Sequence, residues 1–97
     1  MPDNICLIFD YDEDININYR TLTFKKTNTV REVIEKFLRV NNLKMDYSTE
    51  YIMFINWGTI INSDKYLDKP LERVNSSFLH LKNAKIYVHL TNRMVGG

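Results

Sequence analysis

The sequence predicts an α+β fold in which a mixed sheet of four or five strands packs on one amphipathic helix. Segments near both ends of the chain alternate apolar and polar residues with the period of a half-buried strand, while one central segment has the period of a helix. The length of 97 residues corresponds to one small domain. Because a single helix buries its apolar side against a single sheet face, one layer of each is expected.

The first two strands are expected to form an antiparallel hairpin. One strand covers Asn4 to Tyr11 and the next Ile17 to Lys25, where Leu22 and Phe24 share a face. The three acids Asp12 to Asp14 repel one another and favour a solvated connection between the strands. In the first strand, one face carries Ile5, Leu7, Phe9 and Tyr11, and the opposite face carries Cys6, Ile8 and Asp10.

The clearest predicted element is a helix that begins after Thr29. Thr29 and Glu32 have the spacing of a capping box, in which each side chain accepts a hydrogen bond from the backbone N–H of the other residue. Asn41-Asn42 is the expected end, because asparagine tolerates the left-handed backbone of a helix C-terminus. One continuous apolar stripe of this helix is expected to be buried: Val30, Val33, Ile34, Phe37 and Leu38.

The second half of the chain contains further strands around a long irregular segment. Glu50 to Asn56 is the third predicted strand, Trp57-Gly58 marks a turn, and Ile60-Ile61 form a short fourth strand. Residues 62–81 lack a clean period and are expected to form a loop with room for a 3₁₀ turn. The last strand covers Ile86 to Leu90.

The order of these elements favours the β-grasp arrangement. The helix joins a hairpin to a later strand, so it is a crossover, and crossovers between parallel strands are right-handed. The first and last strands are the most apolar and are therefore expected in the centre of the sheet, parallel to each other. Residues 1–91 would form the domain and residues 92–97 a flexible tail. The predicted core combines the helix stripe with Ile5, Leu7, Phe9, Leu22, Phe24, Ile52, Phe54, Ile86, Val88 and Leu90.

Composition argues against several classes of protein. The net charge of +1 argues against a protein that binds the phosphate backbone of nucleic acids. The chain has no apolar run near the length of a membrane span and no signal-peptide segment, so a cytosolic or nuclear monomer without a membrane partner is expected. The lone Cys6 excludes an internal disulfide and is expected to be a buried core thiol.

The residue patterns of catalytic and metal sites are missing from the sequence. His80 and His89 lie nine residues apart, which is not a metal-ligand spacing, and the chain has no glycine-rich phosphate loop. The acids Asp10, Asp12 and Asp14 lack the glycine and the distal glutamate of a calcium loop. The sequence therefore predicts a protein that is not an enzyme and uses no metal or cofactor.

The chain ends on Gly96-Gly97, which neither cap a helix nor turn a hairpin. Because glycine loses the most backbone entropy on ordering, this ending is expected to be a free tail. Either the tail has a chemical role, or it marks the place where a longer chain was cut.

The element order and the tail together resemble the ubiquitin-like family. The C-terminal ending of that family is similar to the end of this chain, where His89-Leu90 is followed after two residues by Arg93 and after two more by Gly96-Gly97. The helix start from Thr29 to Phe37 and the segment from Phe54 to Gly58 are similar to its helix and its Leu-Ile-Phe-Ala-Gly segment. Three tail residues depart from the family pattern: Thr91, Asn92 and Val95.

The resemblance implies a protein modifier. In such a protein the Gly97 carboxylate, presented by the side-chain-free Gly96-Gly97 end, is adenylated by a cognate activating enzyme, passed to a conjugating cysteine and joined to a lysine of a target protein. Arg93 would be recognised by the activating enzyme. Strand alternation and the resemblance together predict a protein-binding face made of Met53, Ile55, Tyr87, His89 and Thr91.

A non-covalent β-grasp interaction module is the alternative interpretation. Residues 29–43 with Lys69-Pro70-Leu71 also resemble Ras-association domains, which implies a small GTPase as partner at the edge of the second strand. The cations available to meet its acidic surface would be Arg20, Lys25, Lys26 and Arg31. A second form of this alternative is a ubiquitin-like subunit of a larger complex. It would contact its neighbours through Trp57 and residues 62–78.

Overall fold

The computed structural model of the chain describes residues 3–11, 17–44 and 46–90. The predicted site residues Thr91, Arg93, Gly96 and Gly97 lie outside these ranges, as do Asp12 and Asp14. In chain order the elements are β1 (Asn4–Tyr11), β2 (Thr21–Lys25), α1 (Val30–Val40), β3 (Ile52–Asn56), β4 (Thr59–Ile60), a 3₁₀ helix (Leu71–Arg73), α2 (Ser76–His80) and β5 (Asn83–Leu90).

The five strands form one mixed sheet in the order β2-β1-β5-β3-β4. The central strands β1 and β5 run parallel, with Phe9 opposite Ile86. β1 pairs antiparallel with β2 on one side, and β5 pairs antiparallel with β3 on the other. The prediction of an α+β fold with the first and last strands central and parallel is therefore confirmed.

α1 begins and ends as its sequence signals indicate. Thr29 Oγ1 accepts a hydrogen bond from the Glu32 N–H at 3.2 Å, and Glu32 Oε1 accepts one from the Thr29 N–H at 2.8 Å. After Asn41, Asn42 adopts the left-handed conformation with a φ of +55°. All five residues of the predicted stripe are buried. None of the helices in the described ranges has the length and apolar character needed to cross a membrane.

The capping box makes the stability of the domain sensitive to acid. Hydrogen bonds from the Thr29 N–H and then from the Asn28 amide hold the pKa of Glu32 below its ordinary value of 4.5. A lowered pKa stabilises the fold at neutral pH, and this contribution is lost as the pH falls through the folded-state value. In urea titrations from about pH 5 to about pH 3, Glu32→Gln should lose less stability than the wild type. Equal losses of unfolding free energy in the wild type and in Glu32→Gln over this pH range would contradict the prediction.

The core lies between α1 and one sheet face and centres on three phenylalanines. The Phe37 ring of α1 stacks on Phe9 of β1 at a centroid distance of 4.3 Å and meets Phe54 of β3 edge-on at 5.5 Å. The predicted core is confirmed, except that Leu22 and Leu90 are only partly buried. The core also includes five residues that were not predicted: Ile61, Leu67, Leu71, Phe78 and Ala84.

Two predicted strands are shorter than expected because competing hydrogen bonds end them. β2 begins at Thr21 rather than Ile17, since the N–H groups of residues 18 and 19 both donate to Asn41 Oδ1 at 2.8 and 2.7 Å. β3 begins at Ile52 rather than Glu50, because the Tyr51 N–H donates to the Ser48 carbonyl in a turn at 2.9 Å.

The prediction of a loop over residues 62–81 was wrong in its second half. Asn75 caps α2, because its Oδ1 accepts a hydrogen bond from the Ser77 N–H at 3.2 Å. The short helix buries Phe78 completely in the core. β5 then begins at Asn83, three residues before the predicted start, where it pairs with Cys6 of β1.

Candidate protein-binding site

The sheet face opposite α1, termed here the outer face, carries the residues predicted to bind partners. His89 of β5 lies opposite Met53 of β3, and Tyr87 lies opposite Ile55. All four side chains are half-buried, and the Tyr87 and His89 rings stack with centroids 6.4 Å apart. The structure thus brings together four of the five predicted residues, while Thr91 lies beyond its described range.

A shallow groove of about 690 Å³ continues the outer face toward the start of β5. It shares Ile55 and Tyr87 with the predicted patch. Four further residues contribute large side chains to its lining: Ile8, Trp57, Leu81 and Lys85. The register accounts for this assembly, because Ile8 of β1 lies opposite Lys85 of β5, next to the pair of Asp10 and Tyr87.

Trp57 is the most exposed large apolar residue of the groove, with 79% of its surface accessible. It occupies a two-residue hairpin between Asn56 and Thr59, which pair with each other. Trp57 has a φ of +50° and Gly58 a φ of +79°, so both central residues have the positive φ of a type I′ turn. Glycine, asparagine and aspartate suit this backbone, whereas a bulky residue in the first position is strained.

A buried polar network holds the base of this turn. Asn56 is 1% exposed, and its Oδ1 accepts hydrogen bonds from Asn75 Nδ2 at 2.7 Å and Ser77 Oγ at 2.9 Å. Its own Nδ2 donates to the carbonyl of Lys85 at 3.0 Å. The start of α2 and the strand β5 therefore both fix the residue that precedes Trp57, so the turn is anchored while the indole faces water.

Two of the four cations predicted to meet a small GTPase are bound to other groups of the chain. Lys26 is only 5% exposed, and its ammonium donates to the Leu79 carbonyl at 2.6 Å. This corrects the prediction of a surface lysine, because α2, which was expected to be part of a loop, contacts it. Arg31 binds the Asp68 carboxylate through Nε and Nη2 at 2.8 and 3.1 Å and the Tyr47 hydroxyl through Nη1 at 2.6 Å.

The other two predicted cations remain at the surface near β2. Lys25 is exposed at the end of that edge strand. The exposed Arg20 places its guanidinium over the Tyr11 ring, 5.1 Å from the centroid. With Lys26 buried and Arg31 paired, only half of the predicted cations are available to an acidic partner.

Cys6 and the histidines do not form a chemical site in the described part of the chain. Because Ile5 and Leu7 point into the core, Cys6 lies on the outer face and is half-buried, which corrects the prediction of a core thiol. His80 is exposed at the end of α2, and His89 lies on β5. Within residues 3–11, 17–44 and 46–90, no three His, Cys, Asp or Glu side chains are grouped to hold a metal ion.

The outer face therefore combines half-buried aliphatic and aromatic side chains with one exposed tryptophan. Aromatic and aliphatic side chains from three strands line one groove together with the exposed Trp57, and tryptophan and tyrosine are among the residues that most often dominate binding energy at interfaces. Its sequence signal was partial: strand alternation predicts the half around Tyr87, while Trp57 was expected in a turn and, in the alternative of a subunit of a larger complex, as a contact residue. Comparisons of the chain with protein-family models, with curated proteins and with solved structures found no match.

Proposed function

We propose that the chain is a ubiquitin-like domain with the β-grasp fold that acts by presenting its outer face to other proteins. The observation that carries this proposal is the apolar surface around Ile55, Tyr87 and Trp57, on a sheet whose other face is already covered by α1. Binding of a partner that removes such an apolar surface from water lowers the free energy of the complex. The hairpin, crossover helix and central parallel strands support the β-grasp assignment.

We propose further that Gly97 is the point of attachment to target proteins. In this reaction the Gly97 carboxylate attacks the α-phosphate of ATP and releases pyrophosphate. A thiolate of the activating enzyme then displaces AMP, and a conjugating enzyme passes the thioester-bound chain to a lysine amine, which displaces the thiol and forms an isopeptide bond. Arg93 would contact the activating enzyme. The support is the Gly96-Gly97 ending, which follows the central strand β5 by a few residues and has no side chains to obstruct an enzyme channel.

One experiment tests the attachment and the recognition face separately. The chain ending at Gly97, the same chain extended by one alanine, and an Ile55→Asp variant are incubated with ATP, magnesium and an extract of the source cells. The first chain should form a thiol-sensitive adduct and then stable conjugates, and the extended chain should form neither. Ile55→Asp should still form conjugates but should retain fewer non-covalent partners, since a carboxylate interrupts the apolar surface.

The outcomes separate covalent from non-covalent function. No adduct from the chain ending at Gly97 would remove the modifier proposal and leave a non-covalent interaction module. Equal retention of partners by the wild type and Ile55→Asp would contradict the role of the outer face, whatever happens at Gly97.

A further inference from the structure

We propose that residues 71–81, termed here the α2 segment, leave the sheet as one unit in a minor state of the folded domain. The groove on the outer face is complete only while this segment is docked. The segment contains the 3₁₀ helix and α2 and ends at Leu81, which lines the groove. The inference rests on the proposed use of the outer face and specifies how that face is regulated. Lys26 is the positioning residue of the segment.

Lys26 follows the edge strand β2 and holds both helices of the α2 segment. Its carbonyl accepts a hydrogen bond from the Glu72 N–H at 3.1 Å, and its ammonium donates to the Leu79 carbonyl at 2.6 Å. Because Lys26 is buried, its ammonium has lost most of its hydration, and the hydrogen bond to Leu79 offsets that cost. When the segment undocks, water hydrates both groups again, so the free energy needed for undocking is reduced.

Asn56 holds the segment at the other end of the connection and directly precedes Trp57. The Asn56 Oδ1 accepts hydrogen bonds from Asn75 Nδ2 at 2.7 Å and from Ser77 Oγ at 2.9 Å, both within the α2 segment. In the sheet, β1 and β5 lie between β2 and β3. The segment therefore links Lys26 to the Trp57 turn across two strands, through side-chain hydrogen bonds at both ends.

Backbone strain in the turn couples its conformation to the docked segment. A bulky residue such as Trp57, with a φ of +50°, keeps that conformation only where the surrounding structure holds it. Undocking removes two of the three hydrogen bonds of the Asn56 side chain, so the turn is free to relax. It also withdraws Leu81 from the groove. Trp57 and Leu81, the exposed apolar side chains of the groove, are therefore displaced together.

The α2 segment is less firmly held than the centre of the core. Its fully buried apolar residues are Leu71 and Phe78, whereas the packed rings at the centre of the core belong to α1, β1 and β3. A five-residue helix is not stable by itself, and segments with few buried apolar side chains open at a lower free energy than the whole domain. A partner in the groove would hold the segment docked, and a ligand that draws the segment away would weaken that partner's binding equally.

Native-state hydrogen exchange, followed by NMR in urea below the unfolding transition, tests the inference on the full chain without a partner. The amide of Glu72 reports on the α2 segment, and that of Thr59, which pairs with Asn56, reports on the turn. The amide of Val33 reports on α1. In the wild type, Glu72 and Thr59 should share one opening free energy and one urea dependence, both smaller than those of Val33.

Replacing Lys26 should be felt at the distant turn. Lys26→Ala removes a hydrogen bond from a charged donor together with the packed stem of the side chain, so exchange of the Thr59 amide should become about ten-fold faster. Lys25→Ala is the matched control, because Lys25 is the exposed neighbour. In this control the Thr59 rate should stay within about two-fold of the wild type.

Ser77→Ala tests the same connection from the other end and does not depend on the folding of Lys26→Ala. It removes one hydrogen bond to Asn56, so exchange of the Glu72 amide, at the Lys26 end, should become about five-fold faster. The exposed neighbour Ser76 provides the control variant Ser76→Ala, which should leave this rate within about two-fold of the wild type.

Two results would overturn the inference. A Thr59 rate that is unchanged in Lys26→Ala and a Glu72 rate that is unchanged in Ser77→Ala would show that the turn and the α2 segment open independently. Wild-type exchange of Glu72 and Thr59 with the free energy and urea dependence of Val33 would show that the segment leaves only when the whole domain unfolds. Because no partner is present, neither result bears on whether the outer face binds proteins, which the Ile55→Asp experiment decides.

Discussion

Replacing Phe37 by alanine should lower the free energy of unfolding by about 3–5 kcal/mol. Phe37 is fully buried and is the residue of α1 that contacts both Phe9 and Phe54, at 4.3 and 5.5 Å between ring centroids. The substitution removes the buried apolar surface of the ring and its two favourable aromatic contacts. It also leaves a cavity between helix and sheet. Since small domains are stable by only about 5–15 kcal/mol, this one change would remove much of the margin.

Urea denaturation followed by circular dichroism measures this effect, and Glu35→Ala is its matched control. Glu35 lies two residues away on the exposed side of α1, so its replacement reports helix propensity without a change in the core. The control should remain within about 0.5 kcal/mol of the wild type. A loss below about 1.5 kcal/mol for Phe37→Ala would show that the surrounding residues close the cavity and that the aromatic cluster does not hold the helix.

The elements that could be predicted from sequence are those whose signals are local. The capping box between Thr29 and Glu32 and the apolar stripe through Phe37 lie within one helix, so periodicity and capping were sufficient. The alternation of β1 and β5 likewise predicted which strands are central, because only central strands need to be so apolar. The arrangement of the sheet followed from these elements and from the handedness of the crossover.

α2 could not be predicted from periodicity, because a five-residue helix is little more than one turn. Its one local signal was Asn75 before two serines, a residue type that favours helix N-caps. Missing this helix also led to the wrong prediction for Lys26, whose ammonium binds the carbonyl of Leu79 within α2. An error in one short element therefore left the burial of Lys26 unforeseen.

Only part of the candidate site could be predicted, because the sequence does not give the register between strands. Alternation alone showed that Ile55 and Tyr87 share the outer face, but it could not show which residues of other strands lie beside them. Ile8 enters the groove through the parallel pairing of β1 with β5, and Leu81 through the turn after α2. These neighbours are distant in sequence, so the groove exists only once the sheet has formed.

Replacing Trp57 by asparagine should stabilise the domain and weaken binding at the same time. Asparagine is suited to a φ of +50°, whereas the left-handed conformation costs a bulky residue about 1–2 kcal/mol. Because Trp57 is 79% exposed, its removal sacrifices little buried surface, so a gain of about 1 kcal/mol in unfolding free energy is expected. A binding anchor of this type contributes about 2 kcal/mol, so affinity for a protein partner of the outer face should fall about 30-fold.

Trp57→Ala separates the two effects, because it removes the indole but leaves an L-residue in the strained turn. It should lose binding to the same extent as Trp57→Asn without the gain in stability. Urea denaturation and titration with a protein partner of the outer face, on the wild type and both variants, give both quantities. If Trp57→Asn were less stable than the wild type, the packing of the indole against the groove would outweigh the backbone strain. Stability alone would then account for a tryptophan at position 57, without a role in binding.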